Sequence, residues 1–219
     1  MRLLVKTPPT VEPVSLTEAK AHLRVDFDDE DALIWAQVRA VRQHLERRYN
    51  RAFCTQTLVL DLDSFDPSYR ASEVYVGIAP TPWAVGLGIV WSVLELRPPV
   101  QSIVSVKYLD TSATQQTMSG SAYVLDNATE PARLYPKYNT VWPATAFLPG
   151  AVKVEFITGT DPGLVPEDAK LANLMLLGEA YRQRETTDDG AARAAARAAA
   201  KHELTIDALM GWSQAPLIR

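Results

Sequence analysis

The chain has 219 residues, 47% of them hydrophobic and 22% charged, with a formal net charge of −4. That balance is ordinary for a globular protein, and a negative total argues against a DNA-coating role while leaving room for a local basic patch. The single Cys54 excludes an internal disulfide and a thiolate metal cluster. The stretch before Pro8 and Pro9 lacks the apolar core of a signal peptide, and no apolar run reaches membrane-spanning length, so the expectation is a soluble cytoplasmic product.

Residues 1–14 carry three prolines and are predicted to be an extended arm, free or lying across a neighbour. Ser15 with Glu18 forms a capping box that starts a helix over Leu16–Leu23. Acids from Asp28 to Asp31 precede a second helix, from about Asp29 to Tyr49. Its apolar stripe is Ile34, Val38, Val41, Leu45 and Tyr49, spaced at helical period. Arg39, Arg42, Arg47 and Arg48 lie off the stripe and are the candidate subunit-interface residues. Asn50 suits a left-handed C-terminal position.

From Thr55 the period becomes two. Leu58, Leu60 and Leu62, then Val104, Val106 and Tyr108, then Val152, Val154 and Phe156 alternate with polar or smaller residues and read as half-buried antiparallel strands. Shorter strands are predicted near residues 73–78, 90–96, 122–125 and 132–134, with a long loop or poorly paired hairpin over residues 64–90. A last core helix starts after Val165-Pro166 and faces inward with Leu171, Leu174, Met175, Gly178 and Tyr181. Residues 187–190 read as a linker.

Residues 191–200 are alanines interrupted by Arg193 and Arg197, an intrinsically strong helix former without a large apolar stripe. Arg193, Arg197 and Lys201 form a basic stripe, either a solvated face or a contact for an acidic partner or DNA phosphate. The tail contains Leu209, Trp212, Leu217, Ile218 and Arg219; it packs on its own bundle or anchors in a partner's groove. The order helix, helix, strands, helix, helix gives an α+β fold: a small helical bundle (15–54 and 160–187) with an inserted antiparallel β domain (55–159), then a tail from 188.

Catalytic and metal chemistry is not legible. Asp26, Asp28, Glu30 and Asp31 fail the calcium-loop pattern. His22, His44 and His202 have no metal-binding spacing. Asp61, Asp63 and Asp66 read as strand-end and turn residues, and Cys54 as a small buried residue. No phosphate-binding loop and no nucleophile elbow occurs. The expectation is no enzyme and no cofactor.

The phrases "PVSLTEAKAHLRVD", "DDEDALI" and "RAFCTQT" resemble the head–tail connector (head-completion adaptor) proteins of long-tailed bacteriophages. So do "LRPPVQSIVSVKYLD" (96–110), "YVLD" with "PARL" (123–134), the strand before Gly159, and the helix ending near residue 185. The resemblance implies a structural ring, usually dodecameric, in the virion at the head–tail interface, assembled in the host cytoplasm. It implies the portal protein, a stopper or tail-terminator protein, and copies of the chain itself as partners, with double-stranded DNA passing through the lumen. It places portal docking in the C-terminal segment, roughly Ala191–Arg219. Within it, Arg193, Arg197, Lys201, Leu209, Trp212, Leu217, Ile218 and Arg219 are the candidates chosen on chemistry. The other readings are a different virion ring, such as a stopper or tail terminator, or a carbohydrate-binding module using Trp83, Trp91 or Trp142.

Overall fold

A computed structural model describes residues 2–65, 93–183, 205–207 and 210. The strand predicted near residues 73–78, most of the 64–90 loop, the linker at 187–190 and the alanine-rich helix lie outside the described residues. The fold is α+β, and the chain divides into two compact units: Met1–Pro8 with Gln56–Thr158, and Pro9–Thr55 with Gly159–Arg219.

The first is a β unit. Its five-stranded antiparallel sheet has the order β1-β2-β8-β4-β5, from β1 (Arg2–Thr7), β2 (Gln56–Leu62), β4 (Val100–Leu109), β5 (Gln115–Thr117) and β8 (Val152–Thr158). A three-stranded sheet has the order β3-β7-β6, from β3 (Leu94–Leu96), β6 (Tyr123–Asp126) and β7 (Ala132–Pro136). Both sheets give alternate residues to one apolar core, with Leu58 and Leu60 from β2, Leu94 and Leu96 from β3, Leu134 from β7, and Val152, Val154 and Phe156 from β8.

Three strand readings change. The expected extended arm contains strand β1, which pairs with β2 from Arg2↔Asp61 to Thr7↔Thr57. On β4 a register irregularity between Ile103 and Ser105 moves Val104 to solvent, while Val106 stays buried; a bulge resets the alternation from that point. The all-polar β5 carries no hydrophobic signal. It is held by a tight turn in which Asp110 accepts the Ser112 and Thr114 N–H groups; the Gln116 side-chain amide first, then these backbone bonds, hold its carboxyl below the usual range.

The second unit is helical. Helix α1 (Leu16–Leu23) begins at Ser15 as predicted: its Oγ accepts the Glu18 N–H, and the Glu18 carboxylate accepts the Ser15 N–H at 2.8 Å. Those bonds to Ser15 keep the Glu18 carboxyl below its ordinary value. Helix α2 (Asp31–Arg48) buries its stripe from Ile34 to Leu45, with Tyr49 just beyond, and Asn50 closes it at φ 47°. Helix α3 (Glu167–Gln183) keeps part of the expected face, with Leu174 and Tyr181 packed against a core cluster, and departs from the rest. Leu171 is exposed, and Ala169, Ala172 and Leu177 are buried. The helix is wedged between two apolar clusters, one touching Ala169 and Ala172 and the other Leu177. Small residues permit that close approach, and side-chain size alone misdirects the reading.

Chain segments 53–55 and 159–160 lie side by side. Thr160 N–H donates to the Phe53 carbonyl at 3.2 Å and Thr55 N–H to the Thr160 carbonyl at 3.1 Å. Gly159 sits at φ +99°, where a Cβ would meet the Cys54 carbonyl oxygen at 2.1 Å, so only glycine fits there.

Candidate functional site

No cluster of three or more metal-ligating side chains occurs among the described residues, and no helix among them is long and apolar enough to cross a membrane. Cys54 is buried, and burial first, then the Glu12 carboxylate, push its thiol up to about 12, which makes it unreactive. The surfaces that remain as candidates centre on α2.

The four arginines of α2 separate into three roles. Arg42 corrects the interface expectation, because its side chain is 3% exposed and held within the unit. Its Nε donates to Glu12 Oε2 and its Nη1 to Glu46 Oε2, both at 2.6 Å. Glu46 Oε1 also accepts the Phe53 N–H at 3.0 Å. Burial disfavours the guanidinium charge, but Glu46 and Glu12 more than offset it and hold its pKa above the ordinary value. One guanidinium thereby ties segment 9–14, α2 and the turn after α2 together. The reading missed Glu12, which lies thirty residues from Arg42 with no local signal. Glu46, at i+4, was findable.

Arg48 binds Asp207 in a forked arrangement, with Nη2 at 2.9 Å from Oδ2 and Nε at 3.2 Å from Oδ1. Tyr49 donates its O–H to the same carboxylate. Burial and that bond raise the Tyr49 phenol to about 12, while Tyr49 and Arg48 lower the Asp207 carboxyl. Nearby, Ile206 and Met210 are buried against α2 and α3. The described part of the expected tail therefore belongs to the helical core. Arg193, Arg197, Lys201, Leu209, Trp212, Leu217, Ile218 and Arg219 lie outside the described residues.

Arg39 and Arg47 are exposed and lack an ion-pair partner among the described residues. The acids before α2 do not cap it with a side chain: Glu30 makes no capping bond and instead accepts the Tyr181 O–H at 2.6 Å. Asp28 and Asp31 both pair with Lys20, at 2.6 and 2.7 Å, which holds the Asp28 carboxyl low. Beside them Leu16, Asp31, Ala32 and Trp35 line an open, almost wholly apolar hollow of about 390 Å³.

The β unit has its own apolar outcrop on the loop between β7 and β8, where Tyr138, Val141 and Phe147 are exposed. Trp142, a candidate for carbohydrate stacking, is buried and stacked on Phe65 at 4.6 Å, so its ring face is occupied. Asp61 pairs with Arg2, and Asp63 accepts the Gly150 N–H, which are strand-end and turn roles.

This arrangement, a helical unit with an antiparallel β unit, is the fold of solved neck proteins. A chain in the "Neck of empty GTA particle computed with C6 symmetry" matches with TM-score 0.63 and 18% identity, covering 87% of this chain and 88% of that one. A chain in the "Virion of native gene transfer agent (GTA) particle" matches with TM-score 0.60 and 19% identity, covering 86% and 88%. A chain in the "Neck of native GTA particle computed with C12 symmetry" matches with TM-score 0.58 and 19% identity, covering 86% and 87%. Residues 13–79 match the family of phage gp6-like head-tail connector proteins, which bears out the resemblance carried by the opening phrases. No curated protein matches the chain.

Proposed function

We propose that the chain is a structural, non-catalytic adaptor of a phage or phage-like particle, located in the virion at the head–tail interface and assembled in the host cytoplasm. Copies close into a ring, twelve-fold in the particle, that joins the portal of the DNA-filled head to the next ring or tail. DNA passes through the lumen without sequence-specific contact. The observation that carries this reading is the coincidence of two independent likenesses, the connector family over residues 13–79 and a neck fold over 87% of the chain. The net charge of −4 suits a conduit, since strongly basic walls retain phosphate. Within the segment from Ala191 onward, Arg193, Arg197, Lys201 and Trp212 are the portal-docking part of this proposal, while Ile206 and Met210 pack into the chain's own helical core.

Electron microscopy of the purified chain, alone and mixed with its portal protein, tests it. Rings seated on the portal are expected. A chain that stays monomeric and ignores the portal overturns the reading.

A further inference from the structure

We infer that the exposed side of α2 and the acidic turn before it are the two halves of a contact between copies of this chain. Exposed aspartates of one copy, unpaired among the described residues, meet exposed arginines of the next. The inference rests on the ring reading and says which faces close the ring.

Three observations converge. First, α2 does not end its apolar character at the core. Ala32, Ala36 and Ala40 are exposed, Leu33 is 45% exposed and the preceding Phe27 46% exposed. The hollow at Leu16, Ala32 and Trp35 continues this apolar surface. A helix face that stays in water normally carries charge there, and a contiguous apolar area with charged edges marks an interaction surface.

Second, the charges on this surface are sorted. Lys20 is used by Asp28 and Asp31, Arg42 by Glu12 and Glu46, and Arg48 by Asp207. Five exposed charges next to or on α2 are left without an ion-pair partner among the described residues: Arg24, Asp26 and Asp29 in the turn, and Arg39 and Arg47 on the helix, so the turn carries a net negative charge and the helix face a positive one. The acids lie in the turn before α2, and the arginines lie at its middle and in its last turn. Arg39 and Arg47 lie eight and sixteen residues beyond the helix start at Asp31, about 12 and 24 Å along the axis. One copy cannot join its own acids to these arginines across that distance, but a second copy can.

Third, a ring of more than two copies needs a heterologous contact, in which two different surfaces of the same chain complement each other. A net-acidic turn and a helix face that carries two arginines among exposed alanines supply such a pair. The occupant of the α2 face is therefore a second copy of this chain.

Complementary charge reversal in the full chain tests this. The variants are Asp26→Arg with Asp29→Arg, and Arg39→Asp with Arg47→Asp. All four side chains are exposed, so folding should persist, as circular dichroism will check. Sedimentation velocity and electron microscopy then read assembly. Each variant alone should associate about tenfold more weakly or worse, because like charges face each other. An equimolar mixture should regain rings of even copy number, since alternation restores every contact. Rings that persist in either variant, or a mixture that fails to recover, overturn this interface and leave the ring reading intact. A wild-type chain that never forms rings, with or without portal, removes the ring reading and this inference together. Variants that form normal rings but lose the portal assign the face to the portal instead. Variants that form normal rings but melt at a changed temperature assign it to the chain's own residues 184–204. Either of these last two results overturns the proposal.

Discussion

The two units solve the problem of a small core differently. The β unit has an apolar core built by two sheets, and its one buried carboxylate among the described residues, Asp61, pairs with a side chain that is 71% exposed. The helical unit divides its apolar residues into two clusters and places the Glu12–Arg42–Glu46 network in its interior. Sheets fix their own register through backbone ladders and alternation. Short helices joined by irregular segments have no such ladder, so a directional polar link does that work. The lesson is that burial stabilises the first unit mainly by area, and the second partly by geometry.

That contrast can be broken most forcefully at Arg42. Arg42→Met leaves two carboxylates buried without their cation and should cost about 3–5 kcal/mol, read by denaturant melts of the full chain. A cost below about 1 kcal/mol would mean the network is not a pin. Next comes Ile206→Ala, which empties a fully buried position in a segment that the family resemblance assigns to portal docking. A loss of about 3 kcal/mol is expected, and a neutral result would return that segment to the tail.

The alkaline limb of stability separates the units more gently. Cys54 in the helical unit is raised from 9.0 to about 12, so folding favours its protonated form. Its contribution is complete below pH 9 and declines as pH rises towards 12, at up to about 1.4 kcal/mol per pH unit. Tyr49, raised from 10.0 to about 12, adds its own decline from about pH 10. Cys54→Ala should flatten the slope between pH 9 and 10 in a pH series of urea melts. The smallest effect is expected at the β unit's margin. Arg2→Ala removes a mostly exposed partner and should cost less than about 1 kcal/mol; a larger loss would show that the sheet, too, depends on a directional polar link.

Elements with strong local signals were readable from residues alone. The Ser15–Glu18 box set the start of α1, the Ile34-to-Tyr49 stripe set α2, and unbroken alternation set β2 and β8. The misses share a cause, which is information carried over distance. Strand β1 exists because β2 offers it an edge, not because Arg2–Thr7 announces a strand. The shift at Ile103–Ser105 is a property of paired strands and inverts Val104. Leu171 yields to Ala169 and Ala172 because two neighbours crowd α3. At the candidate surfaces, Arg39 and Arg47 were readable as exposed, but Arg42 was not distinguishable from them without Glu12.

Strand β1 also sets a timetable for synthesis. Its ladder partners lie 50 residues downstream at Thr7↔Thr57 and 59 at Arg2↔Asp61, and β2 in turn gains its other neighbour only when β8 has been made. A two-stranded ribbon is marginal in water, so the N-terminal residues leave the ribosome long before a stable sheet can receive them. During that wait Leu3, Leu4 and Val5 are an apolar triplet with nowhere to go. Arg2 and Lys6, whose late role is to pair with Asp61 and Glu155, serve earlier as gatekeepers that discourage nascent chains from pairing with each other.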